Sequence, residues 1–394
     1  MLDSLSDHLP EPGRCGASSW DGWPGEGEKL VVESRKHAPG LDALLRWAAG
    51  VGASRISFST GKPVMIRVYG RNRHVTRERL DEPDITAVTN HLYGSDGSAR
   101  LQDGKDFDVA YEISISRTER LRFRLNATPT RTSRGAGANI VLRPIADMPA
   151  SLDDQLVEPA IREACNPKNG MVLVGGSVGS GKSTLIAGMT VSKLLDPNGH
   201  YNILEAAAPV EFLLESIKSP RSSIDQTEVP RDLDTFADFI RGCWRREPTD
   251  IIVGECRDGE TMAAAVNAAM AGSALTTTVH VNDVPLTMQR VVSLLPEGER
   301  ANLITALGQS LRLVVNQRLA PSTDGKRVAL REFLVFDAPL RRKLQQADPR
   351  DWPEVARAAL DGQGQSYRTA IRLALEAGRI TEATAMAELR MEGG

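Results

Sequence analysis

The octapeptide Gly176-Ser177-Val178-Gly179-Ser180-Gly181-Lys182-Ser183 fits the pattern G-x-x-x-x-G-K-[ST], and each position has a chemical task. The glycines let backbone amides close around phosphate oxygens. A helix opening at the lysine adds the positive potential of its N-terminus. Lys182 is placed to reach the β- and γ-phosphates of ATP. The Ser183 hydroxyl, with Thr184 beside it, is placed to bind Mg²⁺. A second signal lies further on. Asp250-Ile251-Ile252-Val253-Gly254-Glu255 is an apolar run ending in a carboxylate. There Glu255 would hold the Mg²⁺ shell or polarise an attacking water. His280 closes the run Leu275 to Val279. At the carboxyl edge of a parallel strand it would face a nucleotide crevice and sense a γ-phosphate by hydrogen bond.

Such groups need a scaffold that brings strand ends together. Residues 1–40 do not supply it. Gly, Pro and Ser account for 15 of them, apolar periodicity is absent, and a disordered tail is expected, with Trp20 and Trp23 as isolated aromatics. From residue 41 the pattern is regular. Leu41, Leu44, Leu45 and Ala48 fall at helical spacing, with Gly50 and Gly52 to end the helix. Short strands are expected at Ile56–Ser59 and Val64–Tyr69, and a helix at Asp84–Tyr93. Phe107, Val109, Tyr111, Ile113 and Ile115 alternate strictly, as do Leu121, Phe123 and Leu125, which marks paired half-buried strands. Gly135–Gly137 reads as a turn and Asn139–Arg143 as a further strand. This is a small α+β domain over residues 41–145. A Pro-containing hinge follows at 146–152.

Beyond the hinge the rhythm is βα. Apolar strands at Met171–Gly175, Tyr201–Ala206, Asp250–Gly254 and Leu275–Val279 alternate with helices from Lys182, at Phe236–Arg245 and at Thr261–Ala271. Continuous apolar strands between helices imply a parallel sheet covered on both faces. A later strand spans Val328–Phe336, and the chain is mostly helical after Asp337. The expected division is an ATP-binding α/β core over 153–340 and a helical segment over 341–394.

Composition narrows the function classes. The 394 residues carry 48 Lys plus Arg against 51 Asp plus Glu, a net charge of −3, which argues against bulk attraction to nucleic acid or anionic lipid. Apolar runs stay short of the roughly 18 residues of a membrane span, and no secretory signal is visible at the N-terminus. Cys15, Cys165, Cys243 and Cys256 are far apart and form no Cys-x-x-Cys pair, so neither a zinc site nor a disulfide framework is expected.

The ordered series then carries a resemblance. The P-loop, Ala208-Pro209-Val210-Glu211-Phe212, Gly254-Glu255-Cys256-Arg257-Asp258 with Glu260-Thr261, and a strand ending in His280 resemble the type II/IV secretion ATPase superfamily, which contains the PilT-like motors. Gly61-Lys62-Pro63-Val64-Met65, Arg122-Phe123-Arg124-Leu125-Asn126, Arg134-Gly135-Ala136-Gly137 and Leu142-Arg143 are similar to the N-terminal domain of that group. Gly40–Trp47, Ile56–Gly61 and Val68-Tyr69-Gly70 resemble its DotB/TraJ branch, which serves type IVB secretion and plasmid conjugation. The resemblance implies a RecA-like P-loop NTPase core with a PAS-like N-terminal domain. It also implies a homohexamer, a place on the cytoplasmic side of the inner membrane through protein partners of a secretion or conjugation machine, and hydrolysis that moves the two domains. By the same resemblance Arg122, Arg124, Arg134 and Arg143 would reach phosphates, where a guanidinium fork stabilises transition-state charge.

The chain departs from the pattern in its acidic box. The family places Glu two residues before the Pro; here that residue is Ala207, and the nearest carboxylate is Glu205. In a strand Glu205 shares the face of residue 207 but sits roughly 6.6 Å back. Glu211 matches the box. Ser273 stands where a His usually follows the helix-end Gly. Tight ATP binding with slow hydrolysis is therefore expected. The alternative is a nucleotide-gated assembly ring with little turnover. A DNA translocase is disfavoured by the charge and by the lack of a basic stripe with aromatics; Arg341-Arg342-Lys343 is too short. Direct nucleic-acid binding is not expected.

Overall fold

The computed structural model describes residues 39–68, 71–76, 79–116, 120–133, 135–145 and 148–391. Trp20, Trp23, nearly all of the expected tail, Arg134 and two residues of the expected hinge lie outside them. The chain divides into two units, up to Asp147 and from Met148.

In the first unit Leu41, Leu44, Leu45 and Ala48 form one fully buried stripe on α1 (Pro39–Gly50). There follow β1 (Ala53–Ser59), β2 (Met65–Val68), β3 (Arg71–His74), α2 (Glu82–Tyr93), α3 (Gly97–Gln102), β4 (Phe107–Ser114), β5 (Arg120–Thr132) and β6 (Gly135–Ile145). The strands pair antiparallel in the order β3-β2-β1-β6-β5-β4. Alternation gives the sheet one apolar face: Phe123, Leu125, Ile140 and Leu142 join the α1 stripe and Ile85 and Val88 of α2 in one core. Asp81 caps α2 by accepting from the Asp84 amide at 2.9 Å, while Asp84 accepts from the Asp81 amide at 3.0 Å. The turn expected at Gly135–Gly137 is strand instead, with Gly135 opposite Thr132 and Gly137 opposite Thr130. Gly137 serves close approach there, since a Cβ would lie 2.8 Å from the Thr132 methyl.

The second unit runs α4 (Pro159–Ala164), β7 (Gly170–Gly175), α5 (Lys182–Leu194), β8 (Asn202–Ala207), β9 (Ser223–Glu228), α6 (Phe236–Cys243), β10 (Asp250–Val253), α7 (Gly259–Met270), β11 (Ala274–Val279), α8 (Val284–Leu294), α9 (Arg300–Ser310), β12 (Leu311–Pro321), β13 (Arg327–Val335), α10 (Ala338–Gln346), α11 (Trp352–Gln363), β14 (Gly364–Gln365), α12 (Tyr367–Glu376) and α13 (Glu382–Met391). Its sheet has the order β14-β13-β12-β7-β11-β10-β8-β9. The strands from β12 to β9 are parallel, and β13 and β14 are antiparallel. Every residue of β7, β10 and β11 is buried. One face carries α6 to α9 and the other α4 and α5, so β7, β8, β10, β12 and β13 each contribute to two cores. The parallel order brings the ends of β7, β11, β10 and β8 to a single sheet edge, with Asn316 of β12 in register with Gly175. Among the described residues no helix is long and apolar enough to cross a membrane.

Candidate functional site

The loop between β7 and α5 takes the backbone that its glycines permit. Gly176, Gly179 and Gly181 have φ of 144°, 78° and 84°, a region that side-chain-bearing residues rarely adopt. A Cβ on Gly176 would also lie 2.4 Å from the Gln317 carbonyl oxygen. Ser177, Val178 and Gly179 are exposed at the rim, while Ser180 is buried. Lys182 is 7% exposed, and its Nζ donates to the carbonyls of Gly176 and Ser177 at 2.8 and 2.9 Å. Burial lowers its pKa, against the opposing pull of Glu255 and Glu211. The buried ammonium is thus folded over its own loop, with Ser183 exposed at the helix start.

This geometry fits a bound polyphosphate. Ser180 Oγ is buried without a hydrogen-bond partner inside the loop, and buried polar atoms normally have one. Lys182 would hold phosphate oxygens, and Ser183, with Thr184 next to it, would hold Mg²⁺. Among the described residues no group of three or more His, Cys, Asp or Glu could hold a metal by itself. Mg²⁺ bound to a nucleotide needs few protein ligands, because phosphates and waters supply most of its octahedron.

The other strand ends place their carboxylates around this loop. Glu255 follows β10, and its Oε2 accepts from Arg257 Nε at 2.6 Å and lies 3.4 Å from His280 Nε2. His280 follows β11, as the alternation of strand and helix expects, and is exposed. Glu211 lies in the segment after β8. Glu205, on β8, accepts from Gln226 Nε2 at 2.6 Å. Burial pushes its pKa up to about 7, with Gln226 pulling it down and Glu211 adding to the rise. Glu205, Ala207, Glu211 and Ser183 all line one cavity of about 40 Å³ between β8, β10 and α5. A carboxyl group in that cavity with a pKa near neutrality has the protonation behaviour of a general base.

Sequence reasoning missed the strand that organises this acidic segment. On β9, Gln226 accepts from the Leu214 amide at 2.8 Å and donates to the Phe212 carbonyl at 2.8 Å. Glu228, in register with Ala207, accepts from the Val210 amide at 3.3 Å. The sequence Ser-Ile-Asp-Gln-Thr-Glu has no apolar run to betray an edge strand. Ser273 occupies no catalytic position: its Oγ donates to the Pro248 carbonyl at 3.0 Å, at the opposite end of β11.

The arginines of the first unit stand on β5 and β6. Arg122 is 6% exposed and lies 3.6 Å from Glu112 of β4. Arg124 donates to Asp108 at 2.9 Å. Arg143 is exposed and pairs in register with Arg124. Arg122 and Arg124 point away from the face that buries Phe123 and Leu125, as their parity expects.

Comparison with known proteins adds independent findings. The family described as "Type II/IV secretion system protein" matches residues 52–388. The type IV pilus retraction ATPase PilT of Pseudomonas aeruginosa is 32% identical over 306 residues, covering 78% of this chain and 85% of its own. Among solved structures, the Legionella pneumophila ATPase DotB superposes with a TM-score of 0.79 at 35% identity, covering 90% of this chain and 95% of DotB. The pilus retraction motor PilT with bound ADP superposes with a TM-score of 0.74 at 26% identity, covering 92% and 97%.

Proposed function

This chain belongs to the type II/IV secretion system protein family, and from that premise we propose that it is a P-loop ATPase that works as a homohexameric ring, coupling ATP binding and hydrolysis to movement of its two units. The observation that carries the reading is the shared sheet edge: the phosphate loop with Lys182 and Ser183, the carboxylates Glu255 and Glu211, and His280 all follow the carboxyl ends of parallel strands, with Glu205 two residues short of the end of β8. In open α/β sheets that edge is where nucleotides bind. Mg²⁺ supplies charge neutralisation at the phosphates. Lys182 would hold them, Ser183 would ligate the ion, and Glu255, tied to Arg257 and near His280, would polarise a water. Glu205 lines the cavity beside Ala207 but stands one strand repeat behind it, so it would serve that water poorly. By the family resemblance, Arg122, Arg124, Arg134 and Arg143 would supply charge to phosphates in the assembled ring. A ring of this kind would serve a type IVB secretion, conjugation or thin-pilus machine at the cytoplasmic face of the inner membrane, held there by protein partners.

Ala207 favours a second reading, a nucleotide-gated assembly ring with weak turnover. Steady-state hydrolysis separates the two. The site itself is tested by ADP titration of the full chain. Lys182→Ala should raise the ADP dissociation constant at least ~100-fold, since a buried charge-assisted contact is lost. Equal ADP binding by wild type and variant would sink the reading. Sedimentation with and without ATP tests the ring.

A further inference from the structure

We infer that Gln317, aligned by Arg331, is a positioning residue that couples the segment opening the second unit, residues 148–158, to the phosphate loop. The inference rests on nucleotide binding at that loop. Gln317 lies on β12 one residue beyond Asn316, the register partner of Gly175, so it stands beside Gly176. It is 2% exposed, and its Nε2 donates to the Ser180 carbonyl at 2.7 Å. Its Oε1 accepts from Arg331 Nε at 2.7 Å. A guanidinium only donates, so it fixes which end of the amide faces Ser180.

Arg331, 1% exposed, spends its remaining donors on the opening segment. They go to the carbonyls of Gln155 and Leu156 at 3.0 and 3.3 Å and to Glu158 Oε2 at 3.2 Å. Leu156 is held there at a φ of 50°, an uncommon conformation for a branched side chain that its surroundings must enforce. A second connection reaches the start of α5, just past the loop. Gln155 Nε2 donates to Ala150 O at 2.7 Å and to Thr184 O, in the first turn of α5, at 3.0 Å. Gly188 makes that approach possible, because a Cβ there would lie 2.5 Å from Gln155 Nε2 and 3.2 Å from the Ala150 carbonyl oxygen. The segment therefore grips the C-terminal side of the phosphate loop at two points, at Ser180 through two buried side chains and at Thr184 directly. A loop reshaped by phosphate must move these carbonyls, and by linkage any pull on the segment must change phosphate affinity.

The test uses the full chain, ADP as probe, and hydrogen exchange of the 148–158 amides. ADP should change exchange in this segment in wild type. Gln317→Met, uncharged and of similar length, should weaken ADP binding about ten-fold, and the unpaired Arg331 donor should also lower the melting temperature. Arg331→Lys, which keeps the charge and loses the fork, should do the same. Gly188→Ala, which lifts the segment without removing a phosphate contact, should weaken ADP several-fold and blunt the exchange response. Wild-type ADP affinity in Gln317→Met and Gly188→Ala, or a segment whose exchange ignores ADP in wild type, overturns the coupling. Should Gln317→Met fail to fold, Gly188→Ala decides. Failure of wild type to bind ADP at all is a different result and overturns the nucleotide reading itself.

Discussion

Glu205 and Ala207 lie on one face of β8 and open onto the same cavity, which Ser183 at the start of α5 also lines. The residue nearer the end of the strand carries only a methyl group. The carboxylate stands one strand repeat behind it, anchored to Gln226. The chain thus keeps a carboxyl group with a near-neutral pKa in the cavity but sets it back from the strand end. That relationship is why binding and hydrolysis are expected to part company in this protein.

Glu205 should leave a mark on stability against pH. Its pKa is raised from 4.5 in the unfolded chain to about 7. Between these values the folded form keeps a proton that the unfolded form has lost, so its contribution is full below pH 4.5 and falls as pH rises to 7. Glu205→Gln removes this slope. The variant should therefore gain stability over wild type progressively above pH 5, by at most about 3 kcal/mol at pH 8. A constant difference across that range would show that Glu205 titrates normally.

Lys193 and Asp250 form a buried pair at 2.5 Å, joining α5 to the start of β10, with both side chains under a tenth exposed. Thr249 Oγ1 donates to the second carboxylate oxygen at 2.8 Å. Asp250→Ala strands a buried ammonium and should cost roughly 3–5 kcal/mol, whereas the double change Lys193→Met with Asp250→Leu should cost far less. Chemical denaturation followed by a probe in the second unit distinguishes them. Equal losses for single and double variants would contradict the pairing.

Arg143 tests the contribution of the first unit. It is exposed and faces Arg124 across β5 and β6, while Arg124 already holds Asp108. If Arg143 supplies transition-state charge, Arg143→Ala should lower kcat by about 10³-fold with ADP affinity retained, and Arg143→Lys should not restore it. Turnover by Arg143→Ala at the wild-type rate would remove this arginine from the site.

Periodicity and motif chemistry reached the α/β core because buried parallel strands such as Met171–Gly175 are continuous apolar runs and the phosphate loop has a strict spacing. They missed β9, whose polar residues sit at a sheet edge, although Gln226 of that strand sets both Glu205 and the acidic segment. They also missed Gln317 and Arg331. Arg331 lies in the expected strand Val328–Phe336, but Gln317 lies in β12, which the sequence reading did not mark, and their partners are about 14 to 175 residues away in sequence, a separation that no local spacing encodes. Gly137 was legible as a glycine but not as a contact, because the need for it comes from Thr132 and Thr60 on other parts of the sheet.

The most direct measurement is steady-state ATP hydrolysis by the full chain beside Ala207→Glu and Glu205→Gln, with ADP affinity measured for all three. A correctly placed general base is worth roughly 10²–10⁴ in rate. Slow wild-type turnover is predicted, a kcat at least ten-fold higher in Ala207→Glu, a lower one in Glu205→Gln, and ADP affinity unchanged throughout. A wild type that already turns over as fast as Ala207→Glu, with Glu205→Gln unaffected, would contradict the account.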